Sequence, residues 1–164
     1  MMVASTARVG GRSRTGPAMI EVQKLGHVVL QVSDLDRSER FYTDVLGLVV
    51  SARMESPATT FFTLGDHHNF AISGIGPDAA APVPNSPGLA HVAFKIGDST
   101  DDLRRAKAHL DALGVKIAMV ADHTVSESIY IEDPDGNWIE VYVDVSDVWR
   151  SDPQAVATVG PLSL

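Results

Sequence analysis

The sequence predicts an α+β fold made of two βαβββ modules. Short runs in which apolar and polar residues alternate are typical of half-buried strands, and they recur along the chain. Two stretches with helical spacing and capping residues lie among these runs. The order strand, helix and three strands occurs twice, on either side of a stretch rich in Gly, Pro and Ala. Because neither module alone could bury its apolar face, we expect the two to pack together.

The first predicted module covers residues 22–75. It begins with a strand at residues 24–32, in which His27 lies on the less apolar side. A helix follows, with Asp34 as its N-cap and Gly47 as its stop signal. Three further strands are predicted after this helix, at residues 48–54, 59–64 and 68–73.

The second predicted module, residues 89–144, repeats this pattern. The sequence LAHV at its start matches LGHV at the start of the first module, so His91 corresponds to His27. A helix is predicted at residues 101–113 and ends at Gly114. Three strands follow it, one at residues 116–120, one around Tyr130 and one around Glu140.

The remaining segments lack this periodicity. Residues 1–20 are small, polar and basic, and we expect them to form a disordered leader. Residues 76–88 are predicted to be a linker inside a single domain that spans residues 21–145. Residues 146–164 are expected to form a C-terminal tail that packs on the domain, with Trp149 as its main anchor.

The composition bounds the classes of partner and location. With 164 residues, of which 45% are hydrophobic, the chain is long enough for one globular domain. A net charge of −8 without a run of Lys and Arg disfavours nucleic-acid and acidic-membrane partners, so a small molecule is the expected partner. No apolar stretch approaches the roughly 20 residues of a membrane helix. The N-terminus also lacks the apolar core of a secretory signal, so we expect a cytoplasmic protein.

The chain has no cysteine, which excludes disulfides, thiolate ligands and a cysteine nucleophile. Histidine and carboxylate side chains are then the strong metal donors that remain, and they suit Fe(II), Mn(II) or Zn(II). One such carboxylate lies in a predicted hairpin, whose turn is DPDGN at residues 133–137. Alternation puts Tyr130 and Glu140 on one face of this hairpin and apolar residues on the other. Since a carboxylate in the middle of a strand needs a partner, a cation is the first candidate.

Two histidines and one carboxylate from three strands can form a facial triad, which leaves open positions on a metal. His27, His91 and Glu140 are the candidates for such a triad. The competing interpretation is that both histidines are ordinary core residues and Glu140 is an edge carboxylate. The equivalent positions of the two histidines in the repeat favour the metal site. The remaining histidines lie in a turn (His67 and His68), in a loop (His123) and on the polar face of a helix (His109).

These features resemble the vicinal oxygen chelate superfamily over about residues 22–145. That superfamily includes glyoxalase I, methylmalonyl-CoA epimerase, fosfomycin-resistance enzymes, bleomycin-binding proteins and type I extradiol dioxygenases. The sequence DHTVSESIY at residues 122–130, followed by DPDGN and Glu140, is similar to the signature of extradiol catechol dioxygenases. HNFAI at residues 68–72 resembles the segment that holds the histidine beside the O₂ site in that family.

The resemblance implies that the two modules form a cup around one metal site. His27, His91 and Glu140 would bind Fe(II), with Mn(II) as the second possible metal. The implied reaction is extradiol cleavage of a catechol ring by a one-domain dioxygenase that incorporates both atoms of O₂. Exposed sheet edges lead us to expect a homodimer, and the modules pair either within one chain or between two chains. The side chains implied to surround the catechol and O₂ are His68, His123 and Tyr130.

The chain departs from the extradiol pattern at two positions. Thr124 stands where the family usually has Gly, and it is expected to tighten the loop after His123. Trp138 is bulky where a small residue is common, and it is expected to narrow the ring pocket. The competing functions are an isomerase of the glyoxalase or epimerase type, a fosfomycin-type transferase and a metal-free bleomycin-type binding protein.

Overall fold

The computed structural model describes residues 20–80, 83 and 85–164, and it contains two mixed sheets with one α-helix packed on each. The first module consists of β1 (Val28–Val32), α1 (Leu35–Arg40), β2 (Val49–Glu55), β3 (Ala58–Thr63) and β4 (Phe70–Gly74). The second consists of β5 (Val92–Gly97), α2 (Thr100–Ala112), β6 (Ile117–Asp122), β7 (Ser126–Glu132) and β8 (Trp138–Asp144).

The two sheets share one topology. The first has the strand order β1-β4-β3-β2, with β1 parallel to β4. The second has the order β5-β8-β7-β6, with β5 parallel to β8, and the short strand β9 (Gly160–Pro161) extends it beside β6. The predicted α+β fold of two βαβββ modules is therefore confirmed. The predicted leader lies outside the described residues except for Ile20, as do positions 81, 82 and 84 of the predicted linker.

The first helix differs from its prediction. Its start is as expected, because the Asp34 side chain accepts a hydrogen bond from the backbone N–H of Arg37. From Phe41 to Val45, however, the helix widens to π-helical hydrogen bonding. The Thr43 hydroxyl donates to the carbonyl of Glu39 one turn earlier, at 3.0 Å, and such bonds compete with regular helical pairing.

The two modules of one chain pack on each other through a shared core. Phe70 of β4 and Phe94 of β5 meet edge to face, with ring centroids 5.4 Å apart. Tyr42, which follows α1, is fully buried, and its hydroxyl donates to Asp133 of the second module at 2.8 Å. These contacts show that the modules pair within the chain, which the sequence had left open.

Asp135 forms a polar junction between the modules. It lies in the turn after β7 and accepts hydrogen bonds from the Ser33 backbone N–H at 3.2 Å, from the Ser33 hydroxyl and from the Ser38 hydroxyl. The Arg37 guanidinium donates to the same carboxylate at 2.8 Å. Burial raises the pKa of Asp135, but the Ser33 hydrogen bonds and the Arg37 charge outweigh it, so that this pKa lies below its ordinary value.

The C-terminal tail is more ordered than its sequence predicts. It contains two short 3₁₀ helices, Val148–Arg150 and Pro153–Ala157, before it reaches β9. Trp149 is only half-buried. The guanidinium carbon of Arg150 lies over its ring, 4.5 Å from the centroid of the Trp149 ring. The tail is instead anchored by apolar contacts and by strand pairing, through Ala155, Leu162, Leu164 and β9.

In the part of the chain described, no helix is long and apolar enough to cross a membrane.

Asp135→Ala should lower the free energy of unfolding by about 2–3 kcal/mol, because it removes the acceptor that Ser33 and Arg37 share. Urea denaturation measures this change. Asp111→Ala is the matched control, since it removes an exposed ion pair with Lys107, and such pairs contribute about 0.5 kcal/mol or less. Equal losses in the two variants would contradict the junction role of Asp135.

The same experiment has a pH signature. Because the pKa of Asp135 is lower in the folded chain than in the unfolded one, its contribution is fully present above about pH 4–5 and is lost as the pH falls through the folded-state pKa. The difference in stability between parent and Asp135→Ala should therefore shrink at acid pH.

Candidate active site

The turn between β7 and β8 sets the geometry of the site. One carboxylate oxygen of Asp133 accepts from the backbone N–H groups of Asp135 at 2.9 Å and Asn137 at 2.8 Å. The turn also needs a positive φ, which glycine adopts without strain at position 136, where φ is 82°. The resulting register puts Tyr130 directly opposite Glu140. Their side chains therefore lie next to each other on one face of the second sheet.

Glu140 is a buried carboxylate with both oxygens engaged. Its side chain is 9% exposed. The Ser128 hydroxyl donates to its Oε1 at 2.5 Å, and its Oε2 lies 3.0 Å from Nε2 of His91. A carboxylate and an imidazole in contact at a solvent-accessible edge are donor groups that divalent metals such as Fe(II), Mn(II) and Zn(II) take. The hydroxyl behind the carboxylate is the kind of outer partner that orients a metal ligand.

Tyr130 and His123 extend this cluster. The Tyr130 hydroxyl lies 3.1 Å from Nε2 of His123, and its ring meets the ring of His91 edge to face at 5.6 Å. Burial and the negative charge of Glu140 raise the pKa of Tyr130 to about 12, while Ser128 opposes the shift. The phenol therefore keeps its proton at neutral pH. It can donate that proton to His123 in a hydrogen bond.

A second cluster lies on the first module. The rings of His27 and His68 pack together with centroids 4.4 Å apart, and Nδ1 of His68 lies 2.7 Å from Nδ1 of His67. Phe61 of β3 packs edge to face on His68 at 5.3 Å. Burial lowers the pKa of His68, and electrostatic interaction with its neighbours His27 and His67 lowers it further, against the charge of Asp66. His68 is therefore neutral at neutral pH.

The structure brings together His91, Glu140, Tyr130 and His123, but it does not bring His27 into this cluster. Within the described ranges, no three His, Asp or Glu side chains are grouped so that they could hold a metal ion. The reason lies in the local pairing, because Ser128 and His91 engage the Glu140 carboxylate, while the His27 ring packs on His68.

His27 and His91 nevertheless flank one junction. Each histidine directly precedes the first strand of its module. A cavity of about 190 Å³ lies between these strands, and it is lined by Gly26, Val28, Val92 and Ala93 among others. The donor set fits a divalent metal in its chemistry, since it offers a buried carboxylate in contact with the His91 imidazole, and a second imidazole at the equivalent position of the first module.

Sequence reasoning missed two residues of the site. Ser128 could have been found, because it lies two residues before Tyr130 and therefore on the same strand face as Tyr130 and Glu140. Thr158 had no signal, because the tail that carries it has no periodicity. Its backbone carbonyl lies 2.8 Å from Nδ1 of His123.

Comparison with known proteins decides the family. The model of the glyoxalase/bleomycin resistance protein/dioxygenase superfamily matches residues 24–141. The chain belongs to this superfamily. It is 33% identical over 153 residues to biphenyl-2,3-diol 1,2-dioxygenase 3 of Rhodococcus globerulus, covering 87% of this chain and 78% of the relative. It is also 31% identical over 122 residues to the glutathione transferase FosA of Serratia marcescens, covering 74% of this chain and 82% of that protein.

Solved structures of the superfamily share the fold. A glyoxalase/dioxygenase from Nostoc punctiforme superimposes with a TM-score of 0.65 at 23% identity, covering 82% of this chain and all of that one.

The two residues that depart from the extradiol pattern, Thr124 and Trp138, lie beside the site. Thr124 has φ 68°, a backbone conformation that glycine adopts most easily. Trp138 packs on Tyr130 with ring centroids 6.0 Å apart and is 39% exposed, so it borders the open side of the cluster.

Ser128→Ala should weaken the binding of a divalent metal by about 10- to 100-fold, because the carboxylate of Glu140 loses the hydroxyl that orients it. Anaerobic titration with Fe(II) or Mn(II) measures the affinity. Ser126→Ala, two residues earlier on the same strand, is the matched control. An unchanged affinity in Ser128→Ala would mean that the hydroxyl does not support a metal ligand.

Proposed function

We propose that the chain is an Fe(II)-dependent extradiol dioxygenase, which cleaves the ring of a catechol with O₂. The observation that carries this proposal is the contact between two pairs, His91 with Glu140 and Tyr130 with His123. The first pair offers metal donors, and the second offers a proton donor and acceptor beside them. The similarity to a biphenyl-2,3-diol dioxygenase supports the same chemistry, because its substrate is an aromatic vicinal diol.

The residues that would hold the metal are His91 and Glu140, with His27 as the third ligand. Bound Fe(II) would supply chelation of the catechol and electron transfer from the aromatic ring to O₂. The buried Glu140 carboxylate would balance part of the cation's charge, and Ser128 would hold that carboxylate in place.

Tyr130 and His123 would handle the catechol proton. A catechol hydroxyl can pass its proton to the Tyr130 oxygen while the Tyr130 proton passes to Nε2 of His123, 3.1 Å away. This transfer leaves a catecholate, a neutral tyrosine and an imidazolium. Tyr130 suits an intermediary role, since its raised pKa keeps it from ionising at neutral pH.

His68 would serve the oxygen side of the reaction. Its pKa is lowered, so the ring is neutral and offers both a donor and an acceptor nitrogen at neutral pH. It packs between Phe61 and His27, the proposed third ligand. A proton donor and acceptor in that position can stabilise charge that develops on oxygen.

A fosfomycin-type transferase is the rival function that a comparison favours, because FosA is 31% identical to this chain. An isomerase function and a metal-free binding function also compete with the proposed one. The Tyr130–His123 pair argues for the dioxygenase, since deprotonation of a catechol makes use of a protonated phenol joined to a base.

We further propose a homodimer, because β2 leaves one edge of the first sheet open within the described residues. The cytoplasmic location stays a prediction.

Anaerobic reconstitution with Fe(II), followed by air-saturated buffer and a panel of catechols, tests the proposed reaction. We expect O₂ uptake together with a yellow ring-cleavage product for at least one of the simple, alkyl and aryl catechols. Protein reconstituted without iron is the control. If no catechol gives either signal, the result contradicts the proposed reaction and favours the transferase, isomerase and binding functions.

Variants should separate metal ligands from residues around the substrate. Glu140→Ala and His91→Ala should lose bound iron and activity together. Tyr130→Phe and His123→Ala should retain iron but slow turnover by about 10²-fold or more, because a positioned proton donor or acceptor is lost. Metal analysis and steady-state O₂ uptake measure the two effects.

His68→Phe should also retain iron, but it should chiefly slow the steps after O₂ binds, which stopped-flow mixing with oxygen resolves. His109→Ala is the control for the removal of a histidine, since His109 lies on α2 and contacts the carbonyl of Val45. Loss of iron in His123→Ala, or full activity in His68→Phe, would contradict these roles.

A further inference from the structure

The C-terminal segment of residues 155–161 packs against the loop that carries His123. The Thr158 carbonyl lies 2.8 Å from Nδ1 of His123. The Thr158 hydroxyl lies 2.8 Å from both the His123 carbonyl and the Thr124 hydroxyl. Two residues later, Gly160 pairs with Asp122 as β9 joins β6. The tail is therefore attached to the His123 loop by contacts of both its backbone and a side chain.

The partners of His123 determine which of its nitrogens carries the proton. A carbonyl oxygen can only accept, so Nδ1 must donate to Thr158. A neutral imidazole has a single N–H, and Nε2 is then a bare acceptor. Its neighbour at 3.1 Å is the Tyr130 hydroxyl, which must donate to it. The contact with Thr158 thus fixes the direction of the hydrogen bond between Tyr130 and His123.

We propose that Thr158 is a positioning residue, whose carbonyl holds His123 in the tautomer that can accept a proton through Tyr130. This inference rests on the proposed dioxygenase function. In the opposite tautomer, Nε2 would carry the hydrogen and could not accept the Tyr130 proton. After the transfer, His123 is an imidazolium with two N–H groups, and the Thr158 carbonyl still accepts from one of them, which stabilises the charged form.

The Thr158 hydroxyl connects the tail to the His123 loop by hydrogen-bond contacts. Thr124 has a positive φ, which β-branched residues rarely adopt. Its backbone N–H donates to the Asp122 carboxylate at 2.6 Å, and its hydroxyl meets that of Thr158. The departure from glycine at position 124 thus provides a hydroxyl that glycine lacks. That hydroxyl links the His123 loop to the tail.

The tautomer can be measured directly by nitrogen NMR of the full-length chain labelled with ¹⁵N-histidine. The chain is studied without metal and with Zn(II), which has no unpaired electrons. The signals of His123 are assigned by their absence in His123→Gln. We expect a protonated Nδ1 and a bare Nε2 in the parent. A parent whose neutral His123 carries its proton on Nε2 would overturn the proposal, whatever any variant does.

Thr158→Val removes the hydroxyl at nearly constant shape and should release the carbonyl from His123. We expect a mixture of the two tautomers and a fall of about 10-fold in kcat, with the iron content unchanged. Thr158→Ser keeps the hydroxyl and should recover most of the loss. Ser151→Ala is the matched control, because this tail hydroxyl donates within its own turn to Val148. A parent-like tautomer and kcat in Thr158→Val would overturn the positioning role.

A double-variant cycle shows whether Thr158 acts through His123. If it does, Thr158→Val should add nothing to His123→Ala, since the residue that it positions is already absent. Additive effects would mean that Thr158 acts elsewhere. Should the parent fail to cleave any catechol, the proposed function fails, whereas the NMR result still decides the tautomer and its dependence on Thr158.

Discussion

The site depends on the buried carboxylate of Asp133. It accepts hydrogen bonds from its own turn and from Tyr42, a core residue of the other module. Burial and the Asp133 charge raise the pKa of Tyr42, so this buried phenol remains a donor. Because one carboxylate fixes both the turn and the module contact, the β7–β8 register and the packing of the modules are set together. A slip of one residue in the β7–β8 register would put Tyr130 and Glu140 on opposite faces of the sheet.

Within that frame, Glu140 is costly to bury, and its surroundings show how the cost is met. A desolvated carboxylate is tolerated only with hydrogen-bond donors or a cation beside it. Ser128 and His91 occupy its two oxygens, and Tyr130 lies opposite it across the strand pair. The groups that stabilise this carboxylate are therefore also the groups that the proposed chemistry needs, which accounts for a charged residue in the middle of an otherwise apolar strand.

The sequence was a good guide wherever the physics is local. Strand alternation and the cap at Asp34 depend on near neighbours, and they predicted both modules as well as the face on which Glu140 lies. Contacts between distant segments could not be read in this way. The packing of His27 on His68, the junction at Asp135 and the docking of the tail each join residues far apart in the chain or in separate loops. No periodicity encodes them.

The two modules also contribute different residue types to equivalent positions of the site. The strand registers make Ala71 the counterpart of Glu140, and Phe61 the counterpart of Tyr130. The first module thus offers a methyl and a phenyl group where the second offers a carboxylate and a phenol, and its His68 is neutral at neutral pH. A catechol has the same division, with an apolar ring and one polar edge. A duplicated fold with a carboxylate at this position in only one module therefore suits the proposed substrate better than a symmetric cup with a carboxylate on each wall.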